Sequence, residues 1–527
     1  MTYRPISSNG LTRLCFALLQ YEVWGSDQSN SIAAVQSAGV HGSFLWIWNS
    51  TEVNKQLRDF DNQAVPMTCV PWQANGPCNV LDMFPANLEQ YDGNDSPTEE
   101  TLGSLGLFGR LHGVIKDPMN MYVSANFFVL GGAYVGIIDT ETKEAIALFR
   151  ATKFNYGAGS SQRSIHMSYW AEDGSSIVIA NLHGKAIERI DIERDENNKI
   201  VSASFNRAAS FGLGQSMSVA EEATYFVGKN AFGNPLIGAI TGSYDDADLG
   251  DLTPNNVCKE NGCDGNQPAM GGRSNNLPIC PITTTNGLVY ATLAGGGLLI
   301  LDSTVTPMTI VGEYGQNAVY GAGCGGVQSG NKVFLNAGVS ASGAGADQSM
   351  FAVFAFDDTL YSSGISNAEN SPLPEVVFDD SSNTQTGGNI NPNSPLVDES
   401  GQLPGETTRR DSHGEEVTKD GKYLHVVDRI QNVVEVFDTD TYDRTTYDLT
   451  TKNGNGEGPP GACLARSVDD DAGLPLNDPA PDLFEITPDG KYFMIALRGP
   501  VPVSVGHAAQ GSCPGVGIVE ILGGTYL

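Results

Sequence analysis

Positive charge is what this sequence has least of. Against 61 Asp and Glu it sets 29 Lys and Arg, a formal net charge of −32 over 527 residues. A surface for nucleic acid or an anionic membrane needs lysine and arginine in clusters, so neither partner fits. Acidity on this scale more often serves solubility than it marks an acidic functional surface. Long apolar runs are missing as well. Nothing approaches the ~20 apolar residues of a membrane-spanning helix, so no membrane insertion is expected. The longest N-terminal run, "LCFALL" at 14–19, is shorter than the ~7 residues of the smallest secretory h-region. The chain therefore reads either as not exported or as a mature form whose leader is not present. Catalytic signatures are absent too: there is no G-x-S-x-G, H-E-x-x-H or C-x-x-C-H. Glycine-rich runs such as "GAGSSQ" and "GAGCGG" precede no convincing helix, which removes the context a phosphate-cradling loop needs.

Only 17% of residues are charged, while Gly (62) and Pro (27) are plentiful. That composition suits short strands joined by turns better than helices. With 40% hydrophobic residues there is ample material for a core.

Nine cysteines include two close pairs in loop-like sequence, Cys69/Cys78 and Cys258/Cys263, which read as disulfide staples and not as C-x2-C metal knuckles. Sequons at Asn49 and Asn94 agree with export. The expected setting is secreted, lumenal or periplasmic. The acidic loops "YDDADLGD" (244–251) and "VDDDAG" (468–473) could hold a structural Ca²⁺, but neither has EF-hand spacing, and solvated acidic loops are commoner.

A repeat runs beneath long interruptions. Residues 411–439, "DSHGEEVTKDGKYLHVVDRIQNVVEVFDT", match 110–140, "RLHGVIKDPMNMYVSANFFVLGGAYVGIIDT". Each unit has a run A, a turn near D-G or D-P, a run B, a polar loop, a run C ending in Asp, and a closing run D. β-Branched runs separated by turn residues signal strands, and four strands every 40–50 residues or so signal propeller blades. The turns "TKDGKYLHVVD" and "TPDGKYFMIAL" resemble the "SPDGKYLYV" turn of YVTN-type, lactonase-like propellers. The resemblance implies an architecture, not an activity.

The expected fold is all-β: one seven-bladed propeller domain over 1–527, with blades at about 12–60, 110–155, 164–210, 278–315, 322–380, 411–450 and 482–523. Insertions fall at 61–109, 246–277, 381–410 and 451–481, and residues 211–245 have no assigned place. Loops this long in a compact fold are usually functional or disordered.

Run A lines the central channel of a propeller, and the starts of the A runs align. Cys15, His112, His166, Cys280, Cys324, His413 and Asp482 fall at equivalent points. Cys and His together make up 16 of 527 residues, so six in register out of seven is a specific signal. His41, His183 and His507 fall in the B–C loops of the same face. The plain alternative is that polar residues at a channel end simply hydrogen-bond loop backbone and water. The functional alternative is that His112, His166 and His413, with His183, ligate a transition metal (Cu, Fe or Zn) and leave a coordination position open. Glu415 or Asp411 would then orient an imidazole. Cys280 and Cys324 would be thiolate ligands, buried thiols, or a disulfide if their strands lie within about 7 Å. Arg13, Arg110, Arg163, Arg409 and Arg410 precede the ring positions closely and suggest a rim for an anionic substrate. Cys463 and Cys513 fall on one face of adjoining blades and are expected to pair.

The expected function is a metal-dependent enzyme at the channel mouth, leaning to an oxidoreductase, acting on a small and possibly anionic substrate. In arrangement it resembles propeller metalloenzymes with histidines from several blades, such as methanethiol-oxidase-like proteins and carotenoid oxygenases, though no motif of either family is matched. Two other readings stand: a hydrolase or lyase for an anionic small molecule or sugar acid, with His166 as base and Arg163 or Arg410 as clamp, and a non-enzymatic extracellular binding or scaffold propeller.

Overall fold

A computed structural model of the chain describes, with short breaks, residues 21–27, 44–54, 110–128, 134–151, 164–212, 277–338, 350–362, 373–380, 410–454, 479–498 and 515–522, together with short strand pieces at 68–69, 73–74, 78–79, 90–92, 154–155 and 161–162. Successive antiparallel sheets follow one another along the chain and make a β-propeller. The third sheet runs Ile165–Trp170, Ser176–Asn181, Ala186–Arg194 and Ile200–Phe205 from the inside outwards. The fourth runs Pro278–Thr283, Leu288–Leu293, Leu298–Asp302 and Thr309–Tyr314, and the fifth Gly326–Ser329, Lys332–Ala337, Ala352–Asp357 and Glu375–Asp379. The sixth runs Ser412–Val417, Tyr423–Asp428, Val433–Asp438 and Arg444–Asp448. The second sheet, Arg110–Lys116 to Ala145–Arg150, gains an outer parallel strand at Gln90–Asp92.

The blade count is six, not the seven expected. The sheet of Glu22–Asp27, Phe44–Asn49 and Cys78–Asn79 and the sheet of Pro481–Ile486, Tyr492–Leu497 and Gly515–Glu520 hold three strands each among the described residues. The first unit's channel-side run around Cys15 lies outside those residues. These two end sheets meet at Gly25, where an added Cβ would touch Val516 at 3.8 Å.

Local sequence explains the recurring strand geometry. In the turn "KDGK", Asp420 accepts from the Thr418 hydroxyl (2.7 Å) and the Lys422 amide (3.2 Å), while Gly421 takes φ +74°. In "PDGK", Asp489 and Gly490 (φ +70°) repeat that turn. Glycine enters the left-handed region without strain, and Asn120 takes the place at φ +55° in the second sheet. The Asp that ends run C caps the next turn: Asp438 accepts from the Asp440 and Thr441 amides at 2.9 Å, and Asp139 from those of Glu141 and Thr142. The second strands, such as "SIVIAN" and "LVYATL", are buried throughout, as expected of strands covered on both faces by neighbouring sheets.

Candidate functional site

The aligned A-run positions coincide with a defect in the strands that carry them. The inner strand slips register between Leu111 and Gly113, Ile165 and Ser168, Pro278 and Pro281, Ser412 and Glu415, and Pro481 and Phe484. His112, His166, Cys280, His413 and Asp482 all sit inside these slips. A bulge leaves a residue out of the ladder and re-aims its side chain, so the fold turns the same position out of five inner strands. The buried polar ends of the second strands serve this geometry. Asn126 donates to the Gly113 carbonyl at 3.3 Å, Asn336 to that of His413, and the Asn181 carboxamide oxygen accepts from Ser164 N–H at 3.1 Å. Those side chains satisfy backbone freed by the bulges.

His166 is the centre of the group. Its Nδ1 lies 3.8 Å from Cys280 Sγ and 3.6 Å from Cys324 Sγ. The three ligand atoms lie within 4.8 Å of one another, with both cysteines buried and His166 partly exposed. Cys280 and Cys324 are joined as a disulfide, with Cα atoms 5.2 Å apart, which resolves the three readings open for them. His112 meets the His166 ring edge to face, with centroids 4.3 Å apart. Tyr169, on the His166 strand, donates its hydroxyl to the Cys324 carbonyl at 3.3 Å, so it ties blades together as well as packing between them.

The other expected ligands lie elsewhere. His413 Nε2 stands 2.9 Å from Asp482 Oδ1. Asp482 Oδ2 accepts from Arg498 Nε at 2.8 Å, and Arg429 approaches Oδ1 at 3.8 Å while holding Asp411 with two hydrogen bonds of 2.9 Å. Burial, with the Arg429 charge, lowers the His413 pKa despite Asp482. Burial works against the Asp482 carboxylate, but Arg498 and His413 hold it well below its usual value. His183 is held to the Ser164 hydroxyl. The expected cluster of His112, His166 and His413, with His183, is therefore replaced among the described residues by His166, Cys280 and Cys324.

Arg410 does not clamp a substrate. Its side chain is 0% exposed and reaches Asp380 (2.9 Å), Asp428 (2.7 Å) and Glu435, and it stacks over Phe351 at 4.3 Å. Asp428 and Glu435 of the sixth blade, with Asp380 and Phe351 at the edge of the fifth, hold it buried between the two. Asp411 orients Arg429, not an imidazole. Glu415 is buried with neither oxygen in a hydrogen bond of good geometry, and burial, then Glu416, raises its pKa well above the usual range. The residue missed in the sequence is Arg429, whose one signal is its place just after the polar end of a run B at Asp428. Arg163, Cys15, Cys258, Cys263, Cys463 and Cys513 lie outside the described residues, as do the side chains of Cys69 and Cys78 and most of the four insertions.

No family model matches the sequence, and no curated protein matches it. Solved structures similar to it include a protein from Lactobacillus plantarum (11% identity, 95% of this chain and 100% of that one, TM-score 0.43). A putative 6-phosphogluconolactonase from Bacteroides fragilis NCTC 9343 aligns at 13% identity over 86% of this chain and 83% of that one, TM-score 0.36. A dihydro-heme d1 dehydrogenase aligns at 9% identity over 74% of this chain and 53% of that one, TM-score 0.34. At these identities and superpositions none bears on activity. The strand pairing itself carries the assignment: this chain is a β-propeller.

Proposed function

We propose that the chain is a metal-dependent propeller enzyme with its site at the channel mouth, leaning to an oxidoreductase that acts on a small molecule. The convergence of His166 Nδ1, Cys280 Sγ and Cys324 Sγ within 4.8 Å carries this reading. With the Cys280–Cys324 bond reduced, one imidazole and two thiolates suit Zn²⁺ or Cu⁺ better than iron. Three protein ligands leave a fourth position for water or substrate, as catalytic zinc sites do. His112, edge-on to His166, would stand beside that position. The anionic character expected of the substrate loses Arg410 as one of its supports, since that side chain is buried.

The deciding experiment is elemental analysis of protein reduced with a phosphine and reconstituted with Zn²⁺ or Cu⁺. About one metal per chain, lost in His166→Ala and kept in His183→Ala, supports the reading. A reduced protein that takes up neither metal overturns it. A second reading has its own observation. His413, positioned by Asp482 and with Nδ1 buried and unpartnered, is a candidate general base for a hydrolase or lyase. A turnover lost in His413→Gln and independent of metal would favour it.

A further inference from the structure

The same two sulfurs cannot be both a disulfide and a pair of thiolate ligands. We infer that the Cys280–Cys324 bond is a redox lock on the His166 site: the oxidised chain is closed to metal, and two-electron reduction opens it. The inference rests on the metal reading above and adds its regulation.

Three observations support it. The bond crosses from the inner strand of the fourth blade to the start of the fifth, 44 residues on, with Cα atoms 5.2 Å apart. That spacing lies within the range disulfides normally span, so bond and thiol pair can share one backbone. Both cysteines stay buried (Cys280 0%, Cys324 2% exposed) in the core around Tyr290 and Phe354. The partly exposed neighbour is His166, 3.6 and 3.8 Å from the sulfurs. The core therefore fixes the backbone at both cysteines, and breaking the S–S bond lets the two Sγ atoms part by side-chain rotation.

The chemistry balances with an external dithiol as reductant. One of its thiolates attacks a sulfur of the bond, the other cysteine leaves as thiolate, and the second external thiol closes the reagent's own disulfide. Two electrons pass to the protein, which ends with Cys280 and Cys324 as thiols. A divalent metal entering between them and neutral His166 releases the two thiol protons. Oxidation by a disulfide reagent reverses the electron transfer and expels the metal.

The test follows Zn²⁺ uptake against a chromophoric chelator in three preparations of the whole chain: oxidised, reduced with dithiothreitol and desalted without air, and re-oxidised with diamide. The expected result is no competitive uptake when oxidised, about one Zn²⁺ per chain when reduced, and release on re-oxidation. Cys280→Ser with Cys324→Ser should abolish the uptake while leaving the other cysteines as internal controls, and circular dichroism confirms that it folds. Alkylation mapping must show thiols at 280 and 324 in the reduced sample alone. Equal uptake by oxidised and reduced protein, lost in His166→Ala, would overturn the lock and keep the metal reading. No uptake in either state overturns both, and so does uptake unchanged in the double serine variant.

Discussion

His413 Nε2 lies 2.9 Å from Asp482 Oδ1, and Asp482 Oδ2 lies 2.8 Å from Arg498 Nε, so one carboxylate joins a bulged imidazole to the neighbouring blade. Breaking a buried pair from one side leaves the partner uncompensated, at about 3 kcal/mol. Asp482→Asn is expected to lower unfolding stability by about that amount at neutral pH, measured by denaturant titration. The sign with pH follows from both groups. The unfolded chain protonates its histidine near 6.5, but folded His413 resists, so stability falls as pH drops from there. Asp482 is held ionised in the fold well below 3.8, so its share is lost only in stronger acid. Asp482→Asn should remove the loss below about pH 4, and His413→Asn the one beginning near 6.5.

Arg410 gives a sharper stability test. Arg410→Ala leaves Asp380 and Asp428 without their counter-charge in a buried site, and Glu435 with only Arg444 at 3.7 Å, so a loss of about 4 kcal/mol is expected. Arg410→Lys should recover little, because one ammonium cannot replace a planar fork of five donors facing three carboxylates. Substrate turnover measured on whatever remains folded should keep its KM. A raised KM with normal stability would restore the clamp role that burial denies.

The architecture was legible because it is written locally. D-G turns, Asp at the ends of C runs, and β-branched runs each act within a few residues, and the turns around Asp420 and Asp489 take the expected form. The channel register was legible for the same reason, since a bulge recurs at one point of the repeat. Partner choice was not. Whether Cys280 meets Cys324 or a metal, and whether Arg410 faces solvent or Glu435, depends on how blades pack across many residues of sequence. Arginine beside a ring position looks the same in sequence whether it points out or in.

Glu416 predicts a pH effect of the opposite sign. Burial, with the charge of Glu485, raises its pKa from 4.5 to about 8, while Lys116 is paired with Glu485. The folded chain thus keeps a proton that the unfolded chain loses near 4.5. Stability from this group is complete below 4.5 and declines as pH rises through 8. Glu416→Gln should flatten the stability profile between those values and leave the protein more stable than the parent at pH 9. Equal slopes in parent and variant would show that Glu416 ionises normally.

Gly414 tests whether the ring depends on close approach between blades. A Cβ there would stand 2.3 Å from the Asp482 carbonyl oxygen and 2.9 Å from Leu483 Cα. Both obstacles are backbone of the adjoining inner strand, so no rotamer change relieves them, and the two sheets must part. Overpacking of this kind costs about 3 kcal/mol, and it moves His413 away from Asp482. Gly414→Ala should therefore lose stability and also raise the His413 nitrogen chemical shifts' titration midpoint towards 6.5, because a parted interface admits water. Gly330→Ala, where an added Cβ meets nothing within 4 Å, carries only the strain of its φ of +59° and should leave the His413 titration unchanged. Matching shifts in the two variants would mean that the blade contact does not set the state of His413.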